Sequence, residues 1–369
     1  MMRTWLGRCL VLAALLLGVG GACLQGQGTC LVSDIQQLHA CLDNLADYTT
    51  VALTQDVVCT DDLCCNLRIV NQARKVLDGN GYRLTRSAPE QQRRCSALTI
   101  TATSGITVQN LTVDEQGDGV GCPAPPNPEA PGCAATVRVL NSVDTAFHRF
   151  TVLHAKAYAV AVDTSAGLVF DQESHVDGSG LQGLYIVNTR PIRVADSHFT
   201  NVATNALFVA LADGVIENNV FRGNHHHGRY RCGEGVCPGG QVLLQRADHL
   251  LFRRNVVRNG WCDNCINHAV QGLELSNGTN AALDEVEITE NVFENNSYAG
   301  IFYSGAGQAS ATCFIHDNTF VNNGFDVWAP GCASAPAPAP TTRPPTRPLE
   351  VVGGHPPPCL VGLGRNCLR

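Results

Sequence analysis

Three consecutive histidines, His225, His226 and His227, run into Gly228, Arg229, Tyr230 and Arg231, a dense cluster of potentially reactive side chains. Consecutive side chains of an extended segment point to opposite sides, so at most two of the imidazoles can serve one ligand. Beside a carboxylate-bearing sugar, His227 would act as a base, while Arg229 and Arg231 would clamp the carboxylate through paired hydrogen bonds. As metal ligands the histidines would need a further carboxylate or imidazole, and Asp263 and His268 stand in a later loop. The same stretch also reads as an idle polar loop. Asp163, Asp171, Asp177 and Glu274 are the acid–base candidates. Glycosidic hydrolysis needs two carboxyl groups, and their separation sets its stereochemistry.

Cysteines add a second set of pairs: Cys122 with Cys133, Cys232 with Cys237, and Cys262 with Cys265. The last two pairs have the makings of a tetrathiolate zinc site, and Trp261 before Cys262 makes a redox-like spacing. A redox pair of this spacing opens a helix after a strand, which this loop does not do. Eighteen cysteines in one chain point instead to an oxidising compartment, where each pair closes its own loop as a disulfide. No cofactor is expected, and no motif supports calcium or zinc. The start of the chain agrees with the compartment. Arg3 and Arg8 flank an apolar run from Cys9 to Val19, followed by Gly20, Gly21 and Ala22. That run is shorter than the about 20 residues that span a bilayer, so it reads as a signal peptide over 1–22. No later run is long enough for a transmembrane segment, and the mature protein is expected to be secreted and monomeric.

The formal net charge of −7 excludes a general nucleic-acid binder, which needs a basic face for phosphates. A Cys-rich cap is expected over 23–74, with a helix at 33–45 capped by Ser33 or Asp34 and apolar at Ile35, Leu38, Cys41, Leu42 and Leu45. Repeats fill 75–329. Ten prolines between Pro330 and Pro358 make 330–358 an extended linker, and 359–369 a short tail with Cys359 and Cys367.

The elements that must position these groups come from the repeats. Superposed, the units around 196, 218, 254, 290 and 317 put Phe199, Phe221, Val257, Phe293 and Phe320 in one column. Two residues earlier stand Ser197, Asn219, Asn255, Asn291 and Asn318. The step from Phe199 to Phe221 is 22 residues, within the range of solenoid repeats. A coil of short parallel strands stacks identical positions on themselves, so the phenylalanines form an internal stack. The asparagines are expected at a corner needing left-handed backbone, with Asn110 in the same column and eight or nine rungs in all. The fold class is therefore all-β, a right-handed parallel β-helix. It resembles the pectin-lyase-like superfamily over roughly residues 50–326. That resemblance implies the fold and a polysaccharide-acting scaffold. It does not extend to one enzyme family: where polygalacturonase-like hydrolases carry Asn-Thr-Asp, this chain has Asn188-Thr189-Arg190.

Insertions locate the site. Phe221 to Val257 and Val257 to Phe293 are both 36 residues, and the excess falls at 225–240 and 260–269; a third insertion occupies 114–135. Insertions at one corner project from one edge of a solenoid and wall a cleft beside the next strand. Alternation turns Leu184, Ile186, Leu207, Val209, Val242, Leu244, Leu273, Leu275, Ile301 and Tyr303 inward along that strand. Asp163, Tyr185, Phe208, Gln245, Glu274, Ser276, Phe302 and Ser304 then face the cleft. Asp163 and Glu274 join His227, Arg229 and Arg231 as the catalytic candidates. Tyr185, Phe208, Gln245 and Phe302 are the substrate-binding candidates, the aromatic ones as a strip for sugar rings or a seat for the loops. Sequons occur at Asn110, Asn277 and Asn295, of which Asn277 and Asn295 are the expected glycosylation sites. The function expected is binding, with or without processing, of an extracellular polysaccharide. The alternatives are a non-catalytic structural or adhesion protein and a metal-dependent lyase or uronate epimerase.

Overall fold

Short alternating segments bury one face each, and a three-residue strand cannot build a core except by stacking on copies of itself. In the computed structural model such strands form three parallel sheets, here called A, B and C, with eleven strands in A and ten each in B and C. The described residues are 28–60, 67–87, 95–116, 134–224, 231–232, 235–236, 239–262, 270–277, 283–304, 312–329 and 332. The chain visits A, B and C in turn, and each strand pairs with its counterpart one rung earlier. Ten rungs follow among the described residues. The first comprises Tyr48–Leu53, Val57–Cys59 and Leu67–Val70, and the last Cys313–His316, Thr319–Val321 and Phe325–Trp328. The coil thus opens at Tyr48, inside the segment expected to be cap. The first rung escaped the repeat because Val57 occupies the phenylalanine column and no asparagine stands two residues before it.

The phenylalanine column is in register through sheet B, from Phe199 through Phe221, Val257 and Phe293 to Phe320. Phe199 and Phe221 stack at 5.0 Å between ring centroids. The asparagine column is also continuous. Asn255 Oδ1 accepts from Asn219 N–H at 3.0 Å, and Asn291 Oδ1 from Asn255 N–H at 2.9 Å. One expectation is corrected here. The left-handed residues are those just before the ladder, Asp196, Asn218, Arg254, Glu290 and Asp317, while the ladder amides Asn219, Asn255 and Asn291 are buried inside and Asn318 on the last rung is half-buried. Asn110 belongs to that left-handed set, with φ 51°, and is half-buried rather than internal. A corner residue with positive φ turns its side chain outward, leaving the next residue to cap the exposed backbone amide of the rung before.

A second ladder lines the corner from B to C, through Asn224, Gln241, Asn296 and Asn323. Gly260 interrupts it because a Cβ there would lie 2.9 Å from Asn296 Oδ1 and from Val270 Cγ1. Gln241 fills the gap from the neighbouring strand. Its Nε2 donates to Asn296 Oδ1 at 2.8 Å, and its Oε1 accepts from Asn224 N–H at 3.2 Å. Gln241→Leu is expected to cost about 1–3 kcal/mol in urea unfolding, because the buried Asn224 N–H loses its partner. An unchanged midpoint would show that the amide finds another acceptor.

The ends are closed differently. Helix Ile35–Asp43 forms as expected, with Asp34 as its cap accepting from Gln37 N–H at 2.8 Å. Its buried face, Ile35, Leu38, Cys41 and Leu42, covers the first rung, and the Cys30–Cys41 disulfide ties it to strand Gly28–Val32. At the far end the Cys313–Cys332 disulfide anchors the last rung. Terminal rungs have one neighbour instead of two, so crosslinks there restrain the part of a solenoid most prone to fraying. Cys59, Cys95 and Cys262 are disulfide-bonded as well. No helix among the described residues is long and apolar enough to cross a membrane. The segments expected as signal peptide, 1–22, and as proline-rich linker and tail, 330–358 and 359–369, lie outside the described residues except for Cys332.

Candidate functional site

Sheet C carries the expected cleft strand. Its ten inward residues, from Leu184 to Tyr303, are all at most 1% exposed, so the alternation is as expected. The outward residues form columns that cross the strands. One runs Arg138, Ala161, Tyr185, Phe208, Leu243, Glu274, Phe302 and Trp328. Beside it run Asp163, Val187, Ala210, Gln245 and Ser276.

The aromatic residues are neighbours, but not as an open strip. Tyr185 and Phe208 stack at 4.9 Å with planes 19° apart, and Phe302 and Trp328 at 4.7 Å and 12°. Rings stacked from rung to rung cover one another's faces and turn mainly their edges outward. Tyr158 meets Tyr185 edge-on at 5.3 Å, and Phe302 is 8% exposed. Burial and the nearby Asp163 charge push the Tyr185 hydroxyl up.

Glu274 sits between Leu243 and Phe302 in that column. Its carboxyl accepts from Gly240 N–H at 3.2 Å and is hydrogen-bonded to Ser304. Burial pushes its pKa up to about 7, against the pull of both hydrogen bonds. Gly240 is required here. A Cβ at that position would lie 2.9 Å from the Glu274 backbone nitrogen and Cβ. A carboxylic acid half-protonated near neutrality can give or take a proton, the property a general acid or base needs.

The other acid candidates are not brought to it. Asp163 lies four strands away, roughly 19 Å at the usual spacing, and accepts from Thr164 Oγ1 at 2.9 Å. That exceeds the separation of about 5–9.5 Å at which two carboxyls can flank one glycosidic bond. Asp171 projects from sheet A, where it bonds His148 Nδ1 at 2.5 Å and Arg193 Nη1 at 2.7 Å. Asp177 projects from sheet B and accepts from Thr200 Oγ1 and Asn201 Nδ2. Among the described residues no three His, Cys, Asp or Glu side chains gather as a metal site would require.

Every expected insertion joins a strand of sheet B to one of sheet C, as the one-sided arrangement demands. His227, Arg229, Cys122, Cys133, Cys237 and Cys265 lie outside the described residues. Arg231–Cys232 pairs antiparallel with Gly235–Val236. Cys262 is fully buried and disulfide-bonded. Of the sequons, Asn277 is 1% exposed, accepts from Leu283 N–H at 3.0 Å and bonds Tyr303. Such a buried amide has no room for a glycan. Asn295 is exposed at a left-handed corner. Gly240, Gln241 and Trp328 were not singled out from the sequence. Two adjacent glycines before a strand were the signal available for the first.

Residues 135–334 match a family model described as right-handed beta helix region. No curated protein matches the chain in sequence. Among solved structures, an alginate lyase from Paenibacillus sp. str. FPU-7 superposes with a TM-score of 0.57 at 11% identity, covering 83% of this chain and 99% of that one. The catalytic domain of a GH87 α-1,3-glucanase in complex with nigerose gives 0.48 at 11% identity, covering 86% and 69%. A mannuronan C-5 epimerase module from Azotobacter vinelandii gives 0.38 at 12% identity, covering 85% and 98%. At such identities the likeness is one of fold.

Proposed function

The chain belongs to the right-handed β-helix family, and on that premise we propose that it is a secreted protein that binds an extracellular polysaccharide along sheet C and processes it by proton transfer at Glu274. One observation carries the reading: a carboxylic acid held near pKa 7 between Leu243 and Phe302, on the sheet flanked by the inserted segments. Holding a carboxyl in a half-buried site with no cationic partner among the described residues is costly, and such groups concentrate where their protonation is used. The family scaffold by itself supports many chemistries and decides none. His227, Arg229 and Arg231 complete the proposed set, the arginines pairing with carboxylate or sulfate groups of an acidic glycan. Asn295 is the proposed glycan acceptor, and Cys122–Cys133, Cys232–Cys237 and Cys262–Cys265 are the proposed loop disulfides.

The second reading is a non-catalytic structural or adhesion protein. It is favoured by the aromatic rings stacking on one another and by the roughly 19 Å between Asp163 and Glu274. A glycan-array screen of the secreted protein, followed by incubation with each hit, separates the two. Binding that weakens with salt, followed by product formation, is the expected result. The variant Arg229→Ala with Arg231→Ala should lose that binding. If it binds and turns over the glycan like the parent, the arginines have no part in the site; a hit left chemically intact favours the structural reading.

A further inference from the structure

Along the outward column of sheet C, the ring faces of Tyr185, Phe208 and Phe302 are turned toward neighbours on adjacent strands. Trp328 differs. It stands on Phe325–Trp328, the last strand of the sheet, with Phe302 stacked on one indole face and, among the described residues, no strand beyond the other. The ring is half-buried, and Phe325 on the same strand is 37% exposed and meets Tyr298 edge-on. Among the described residues the strand is paired along one edge only, so its other edge offers backbone N–H and C=O groups unmatched by a further described strand. An aromatic face bordered by backbone donors and acceptors complements a pyranose ring, which has an apolar C–H face and a rim of hydroxyls.

We infer that Trp328 is the terminal subsite of the polysaccharide site, a pyranose ring stacking on its outer indole face with hydroxyls bonded to the free edge of Phe325–Trp328. The inference rests on the polysaccharide reading and adds an orientation to it. Glu274 lies two strands from Trp328, about 10 Å, so one glycan can meet both only by running along the coil axis. Each sugar with its linkage advances by about one strand spacing, so chains of at least about three sugars are needed to touch both.

Trp5, Trp261 and Trp328 are the three tryptophans of the chain, and Trp5 leaves with the proposed signal peptide, so Trp261→Phe in the secreted protein leaves Trp328 as its one tryptophan. This variant is titrated with alginate oligosaccharides, as acidic probe, and α-1,3-glucan oligosaccharides, as neutral probe, of increasing length. A change in Trp328 emission that saturates together with binding measured by calorimetry is expected. Trp328→Leu keeps an apolar contact on Phe302 but should bind on the order of tenfold more weakly, and Trp328→Phe should recover most of the loss. Melting curves of both variants exclude loss of the last rung. If a probe binds the parent while Trp328 emission stays constant and Trp328→Leu binds equally well, the subsite is refuted and the polysaccharide reading stands. If no probe and no arrayed glycan binds the parent, both fall.

Discussion

Glu274→Gln is expected to stabilise the protein near pH 8 by up to about 3 kcal/mol while sharply lowering turnover of any glycan on sheet C. The sign follows from the direction of the shift. The carboxyl titrates near 7 in the fold against an ordinary 4.5, so the folded chain favours the neutral form. Below pH 4.5 the side chain is neutral in both states and the glutamine changes little. As pH rises through 4.5 toward 7 the unfolded chain ionises first, and the native protein loses stability that the uncharged amide would keep. Urea unfolding of parent and variant near pH 5 and pH 8 measures the difference. Curves displaced equally at both values would mean that Glu274 titrates like a surface carboxylate. Turnover should fall by roughly 10²–10⁴ while glycan binding survives, since a general acid or base contributes on that order. A gain in stability coupled to a loss of activity is the signature of a residue kept for chemistry rather than for folding.

Phe293→Ala should cost about 3–5 kcal/mol, the usual range for emptying a phenylalanine site in a packed core. Phe293 is fully buried in register between Val257 and Phe320, and its ring stacks on Phe320 at 5.4 Å and 12°. The loss should first appear locally. Solenoid stability is approximately a sum over neighbouring rungs, so amide exchange should accelerate in the strands around 286–303 before the coil as a whole. Phe320→Ala is the internal comparison, because Phe320 belongs to the last rung and is only half-buried. It should cost markedly less. Equal costs at the two positions, or an unshifted melting curve for Phe293→Ala, would mean that the column does not carry the core.

The phenylalanine and asparagine columns, the inward set from Leu184 to Tyr303, and the helix capped by Asp34 were all legible in the sequence. Each is a local matter: side-chain type at a fixed spacing decides which face of a strand or helix must leave water. The insertions before sheet C were legible for the same reason, since an irregular step in a regular repeat marks its own corner. Periodicity is silent on what adjacent rungs do to one another. The tertiary structure alone turns Tyr185 and Phe208 face to face and buries Asn277 against Tyr303. It also sets Asp163 four strands from Glu274, although both face outward from the same sheet. The first four rungs, with Val57, Leu84, Val113 and Val152 in the phenylalanine column, lacked the sequence signature because backbone pairing, which any residue can make, carries the coil where side-chain ladders are absent. Glu274 was visible as an outward acid, but its raised pKa depends on Leu243 from the rung before, Phe302 from the rung after, and the space left by Gly240. Sequence by itself determined which way each side chain faces. Distance, solvent exclusion and the partner on the next rung arise only when the rungs are stacked, because they are properties of pairs of residues some 20–40 positions apart in a solenoid of this kind.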